Sequence, residues 1–116
     1  MSAAPNEGSR VRFTDIRDAL SPIMDPEIKV GILDLGLVYG AEILPGETPR
    51  EGDSVRLRMT LTTPQCPYGP MLLAQVHGAL AKLKGVRDVD VDLVWDPLWN
   101  PRTMASEEAK DMLGIY

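Results

Sequence analysis

Chemistry in this chain turns on one thiol. Cys66 is the single cysteine among 116 residues. It stands in Thr-Thr-Pro-Gln-Cys-Pro-Tyr-Gly-Pro, positions 62–70, where a strand pattern ends and a helix pattern begins. A thiol just ahead of a helix meets unpaired N–H groups and the positive end of the helix dipole. Both favour the thiolate, the form that binds soft metals or attacks electrophiles. An isolated cysteine otherwise fills space as a small hydrophobe. Pro64 and Pro67 argue for chemistry, because they fix the loop's direction and remove N–H donors, which a mere filler does not need.

Three further groups are candidates. Asp25 and Glu27 form Asp-Pro-Glu; carboxylates beside a thiolate can complete the coordination of a metal or accept a proton, although Asp-Pro is also a common helix terminator. His77 raises a thiol-enzyme reading in which an imidazole activates Cys66. Spacing argues against it within one chain, since at about 1.5 Å per residue His77 lies roughly 10 Å or more from the start of its helix. The run Trp95-Asp96-Pro97-Leu98-Trp99-Asn100-Pro101 sets two aromatics beside two prolines. It either braces the edge of the core or anchors a partner.

These residues must be positioned by ordinary elements. Phe13, Ile16, Leu20 and Ile23 recur at helical spacing and predict a helix over Arg12 to Met24, ended by Asp25-Pro26. Leu33 to Leu44 alternates and predicts a strand, followed by an exposed hairpin loop over Pro45 to Asp53. A second strand puts Val55, Leu57, Met59 and Leu61 on one side, with Arg56, Arg58, Thr60 and Thr62 on the other. Met71 to Lys84 predicts a helix whose buried stripe is Leu72, Val76, Leu80 and Leu83. Val89, Val91, Leu93 and Trp95 then mark a third strand. A last short helix is capped by Ser106 and closed at Gly114. The order α-β-β-α-β-α implies an α+β fold of two layers, a small three-stranded mixed sheet covered by helices. If the second and third strands are parallel neighbours, Arg56 and Arg58 lie near Asp90 and Asp92.

The length suits one domain, expected over residues 11–116, with 1–10 as a short disordered tail. That tail lacks the basic start and apolar run of a secretory signal. No apolar stretch approaches the roughly 20 residues that span a bilayer, and one cysteine cannot form an internal disulfide. A cytoplasmic protein is expected. The net charge of −5, with acids and bases interspersed, repels phosphate backbones and argues against nucleic acid as a partner.

Five ordered blocks together resemble the small metal-sulfur cluster assembly factors. That family includes SufT-like proteins, the shared domain of PaaD and a eukaryotic cytosolic iron-sulfur targeting component. The blocks are Asp25-Pro26-Glu27-Ile28, Leu33 to Tyr39, Met59 to Pro67, Leu93 to Pro97 with Trp99, and Met104 to Gly114. The resemblance implies a role in maturing iron-sulfur proteins, with Asp25, Glu27, Thr62, Thr63 and Cys66 gathered at one site and a cluster or iron held transiently. It also implies the minimal SufT-like form, without the cysteine-rich C-terminal region of PaaD-like members. Leu98 departs from the Asp-Pro-Pro-Trp run frequent in the family.

A cluster is usually held by four cysteine thiolates, and this chain supplies one. The chain is expected to form a homodimer that supplies Cys66 twice, with Asp25, Glu27, a small thiol or a client cysteine making up the difference, so binding would be labile and suited to transfer. The expected partners are iron-sulfur assembly proteins and apo-clients. The alternative is a metal-free adaptor, which would bind the assembly machinery or clients through the Cys66 loop and the Trp95 to Trp99 loop.

Overall fold

The computed structural model describes residues 11–48, 51–65 and 67–114. The expected tail over 1–10 and Cys66 itself lie outside the described residues. Among the described residues the order is α1 (Phe13–Leu20), α2 (Ile32–Leu35), β1 (Val38–Pro45), β2 (Asp53–Met59), α3 (Gly69–Ala81), β3 (Val86–Leu93), α4 (Pro101–Met104) and α5 (Glu107–Leu113). This is the α+β arrangement read from the sequence, with two short helical turns added.

The sheet is ordered β1-β2-β3. β1 and β2 form an antiparallel hairpin, and β3 lies parallel to β2 after the crossover through α3. Strict alternation makes β2 the central strand. Val55, Leu57 and Met59 are buried against Ile16 and Leu20 of α1, Ile32 and Leu35 of α2, and Leu72, Val76 and Leu80 of α3. Arg56 and Arg58 face away, opposite Asp90 and Asp92 in register. Arg56 reaches Asp90 at 3.7 Å and Glu42 at 3.9 Å. All three side chains are exposed, so this ion-pair row contributes only about 0–1 kcal/mol. At the start of the described chain, the Val11 amide donates to buried Asp53 at 2.8 Å.

Several boundaries differ from the expectation. α1 ends at Leu20, before Pro22, and not at Asp25-Pro26. Its stripe begins one turn late, since Phe13 at the helix start is 60 % exposed. Residues 33–37 do not belong to the strand. Ile32 and Leu35, three apart, bury one side of a single helical turn, and Gly36 ends it at φ 78°. A Cβ at Gly36 would lie 2.2 Å from the Met104 carbonyl oxygen, so glycine is needed there for conformation and for space. β2 stops at Met59, and Thr60, expected on the outer face, is buried, with its amide donating to the Leu37 carbonyl at 2.8 Å. The last helix is as expected: the Ser106 hydroxyl accepts from the Ala109 amide, and Gly114 closes it at φ 77°.

Candidate functional site

The Asp-Pro-Glu segment is a loop wound about its own carboxylate. Met24 and Gly31 form an antiparallel bridge at its base. Inside it, the Asp25 amide donates to Val30 at 2.9 Å and the Lys29 amide to the Asp25 carbonyl at 2.7 Å. Asp25 Oδ1 accepts from the amides of Glu27 (2.9 Å) and Ile28 (3.1 Å). Pro26, lacking an N–H, leaves no donor unmet between them. Asp25 is 1 % exposed, and its Oδ2 is buried without a hydrogen-bond partner among the described residues. This places Asp25 inside the loop and turns Glu27 outward, where it is exposed.

The turn that carries Cys66 begins where β2 ends. The Thr63 hydroxyl donates to Gln65 Oε1 at 2.9 Å and accepts from the Gln65 amide at 3.3 Å, closing a small hydroxyl-stabilised turn. Thr62 is half-buried beside it. After Pro67, Tyr68 sits at the N-cap of α3, contributes no side-chain cap there and precedes Pro70 in the first turn. Its hydroxyl donates instead to Glu27 Oε1 at 3.4 Å. Thus the acidic loop and the turn flanking Cys66 meet through Glu27 and Tyr68, a pairing of residues 41 apart. Sequence reasoning missed Tyr68, since nothing in its neighbourhood shows where its hydroxyl ends.

His77 is exposed on α3. Among the described residues, no three His, Cys, Asp or Glu side chains group closely enough to hold a metal ion.

The tryptophan run braces the fold. Trp99 Nε1 donates to the Leu35 carbonyl at 2.7 Å, and both Trp95 and Trp99 pack on the core. Leu98 between them is the exposed apolar residue, at 67 %. Tyr39 fastens the same loop, its hydroxyl donating to the Pro97 carbonyl at 2.7 Å. A bulge aims that side chain. Register steps from Val38–Met59 to Gly40–Arg58, leaving Tyr39 as the extra residue. Burial raises the Tyr39 phenol above its ordinary pKa, partly opposed by a hydrogen bond with Thr60.

Comparison with known proteins identifies relatives over most of the chain. The family described as iron-sulfur cluster assembly protein matches residues 14–93, which take in the acidic loop, the Cys66 turn and all three strands. A Bacillus subtilis protein named Fe-S protein maturation auxiliary factor YitW is 40 % identical over 101 residues, covering 87 % of this chain and 92 % of that protein. The Staphylococcus aureus Fe-S protein maturation auxiliary factor SufT is 38 % identical over 93 residues, covering 80 % of this chain and 98 % of its own. A solved structure of a conserved hypothetical protein from Thermotoga maritima superposes with a TM-score of 0.75 at 34 % identity, over 92 % of this chain and 98 % of that one. On a match that spans most of the chain, the chain belongs to the iron-sulfur cluster assembly protein family.

Proposed function

We propose that this chain is a maturation factor that helps deliver iron-sulfur clusters to apo-proteins, with Cys66 as the thiolate that contacts metal or sulfur. The observation that carries the reading is the meeting of Glu27 with Tyr68, two positions beyond Cys66. It sets an exposed carboxylate beside the turn of the lone thiol. Thr63 shapes that turn, Thr62 flanks it, and Asp25 holds the loop that presents Glu27. The names of the relatives point the same way. The chain acts as a carrier or helper and not as an enzyme, in keeping with relatives named maturation auxiliary factors.

One thiolate is too few for a conventional cluster, so the cargo, a cluster or iron, is substrate shared with a second chain and released readily. That second chain is another copy in a homodimer, an assembly protein or an apo-client. No described helix is long and apolar enough to cross a membrane, and the proposed place of action is the cytoplasm. The metal-free adaptor reading keeps one specific support, the exposed Leu98 at 67 % in the Trp95 to Trp99 loop.

The test is complementation in cells lacking the protein, read as the activity of an iron-sulfur dehydratase. Wild type restores activity and Cys66→Ser does not, at equal abundance of the two proteins. Equal restoration by both would overturn the assignment of Cys66.

A further inference from the structure

A second candidate site lies on the far face of the sheet, independent of Cys66 and of the cluster reading. Arg56 and Arg58 project from β2 on the same face, yet only Arg56 is matched, by Glu42 and Asp90. Arg58 forms no ion pair among the described residues, although Asp92 stands opposite it in register. Its guanidinium leans the other way, over Gly40 of β1. A Cβ built at Gly40 would fall 2.7 Å from Arg58 Nη2, and its three nearest atoms all belong to that guanidinium. The missing side chain at position 40 is what lets the cation lie there.

Arg58 borders a cavity of about 470 Å³ whose wall also includes Val38, Tyr39, Asp96, Pro97 and Met104. Asp96 is exposed and likewise forms no ion pair among the described residues. One unmatched cation and one unmatched anion therefore line the same space without pairing with each other. The Tyr39 hydroxyl is already engaged by the Pro97 carbonyl, so polar recognition falls to Arg58 and Asp96. Val38, Pro97 and Met104 supply an apolar wall. The volume lies within the roughly 300–1,000 Å³ of small-molecule sites. The cavity lies beyond the carboxyl ends of parallel β2 and β3.

A plain anion such as phosphate would meet Asp96 and a net charge of −5, and a metal ion would meet Arg58. We propose that this cavity binds a small zwitterion of about dipeptide size, its carboxylate on Arg58, its ammonium on Asp96 and its hydrocarbon on the apolar wall.

The experiment is a ¹⁵N-resolved NMR titration of the full chain with glycyl-leucine, with its N-acetyl form and with its C-terminal amide. Glycyl-leucine is expected to give saturable shifts at the Tyr39, Gly40, Arg58 and Asp96 amides. Each blocked peptide should bind about tenfold more weakly, the loss of one charge-assisted contact. Arg58→Gln and Asp96→Asn should each weaken glycyl-leucine by about the same factor. Gly40→Ala should weaken it too, because the new methyl displaces the guanidinium while leaving every charge in place. Absence of saturable shifts at these amides would overturn the proposal. So would binding insensitive to Arg58→Gln, or N-acetyl peptide binding as well as the free one.

Discussion

Removing the carboxylate of Asp25 should destabilise the fold in a way that separates its structural part from any part in metal binding. Asp25 is 1 % exposed and accepts two amide hydrogen bonds at one oxygen. Hydrogen bonds to a charged acceptor contribute about 1.5–3 kcal/mol each, and two that share one oxygen add less than fully. Asp25→Ala should therefore cost about 2–4 kcal/mol, a large part of the roughly 5–15 kcal/mol that holds a domain. At about 2 kcal/mol per molar urea, the middle of the usual range for small proteins, the unfolding midpoint should fall by roughly 1–2 M. Asp25→Asn keeps an oxygen at the Oδ1 position and puts an amide where Oδ2 now lies unpartnered. It should lose only about 1–2 kcal/mol. Urea denaturation of the three proteins, followed by circular dichroism, measures this. If Asp25→Ala unfolds within about 0.5 kcal/mol of wild type, the loop is not held by that carboxylate. If Asp25→Asn falls as far as Asp25→Ala, acceptor geometry is not what matters.

Glu27→Ala, by contrast, removes an exposed side chain and should leave stability within about 0.5 kcal/mol while weakening iron retention in anaerobic gel filtration. Gly36→Ala should cost about 2 kcal/mol or more, because φ 78° and the Met104 backbone both exclude a Cβ; thermal unfolding checks it. For Tyr39, the raised phenol pKa means the folded chain holds this proton more tightly than the unfolded chain does. Its contribution is complete below the unfolded value near 10.0 and is lost as pH rises through the higher folded value. Urea midpoints should therefore fall more steeply above about pH 10 in wild type than in Tyr39→Phe.

What could be read from the sequence was what depends on short-range periodicity. β2 shows its alternation openly, and with the crossover through α3 that sufficed to place Arg56 beside Asp90. Ser106 and Gly114 announce the last helix by residue type alone. Residues 33–37 misled because Leu33, Leu35 and Leu37 imitate a strand. The deciding features are the left-handed Gly36 and the Trp99 bond to the Leu35 carbonyl, both set by tertiary contact. Alternation continued past Met59 puts Thr60 on the outer face, but the chain leaves the sheet there and turns Thr60 inward. In the candidate site, residue pattern alone shows the acidic loop and the Cys66 turn as separate features, and the expectation that they gather at one site comes from the family resemblance. Their meeting through Tyr68, and the inward turn of Asp25, depend on side-chain direction across 41 positions, which local pattern does not encode.

The most direct test of the central claim is the iron and sulfide bound to wild type and to Cys66→Ser after anaerobic reconstitution and desalting. Ser differs from Cys mainly by removing the soft ligand, so both proteins should show the same circular dichroism. The account predicts that wild type retains iron with sulfide-to-iron absorption in the visible range, and that Cys66→Ser retains none above a protein-free control. Equal retention by the two proteins would contradict the role of Cys66, and no retention by either would contradict metal contact and leave the adaptor reading standing.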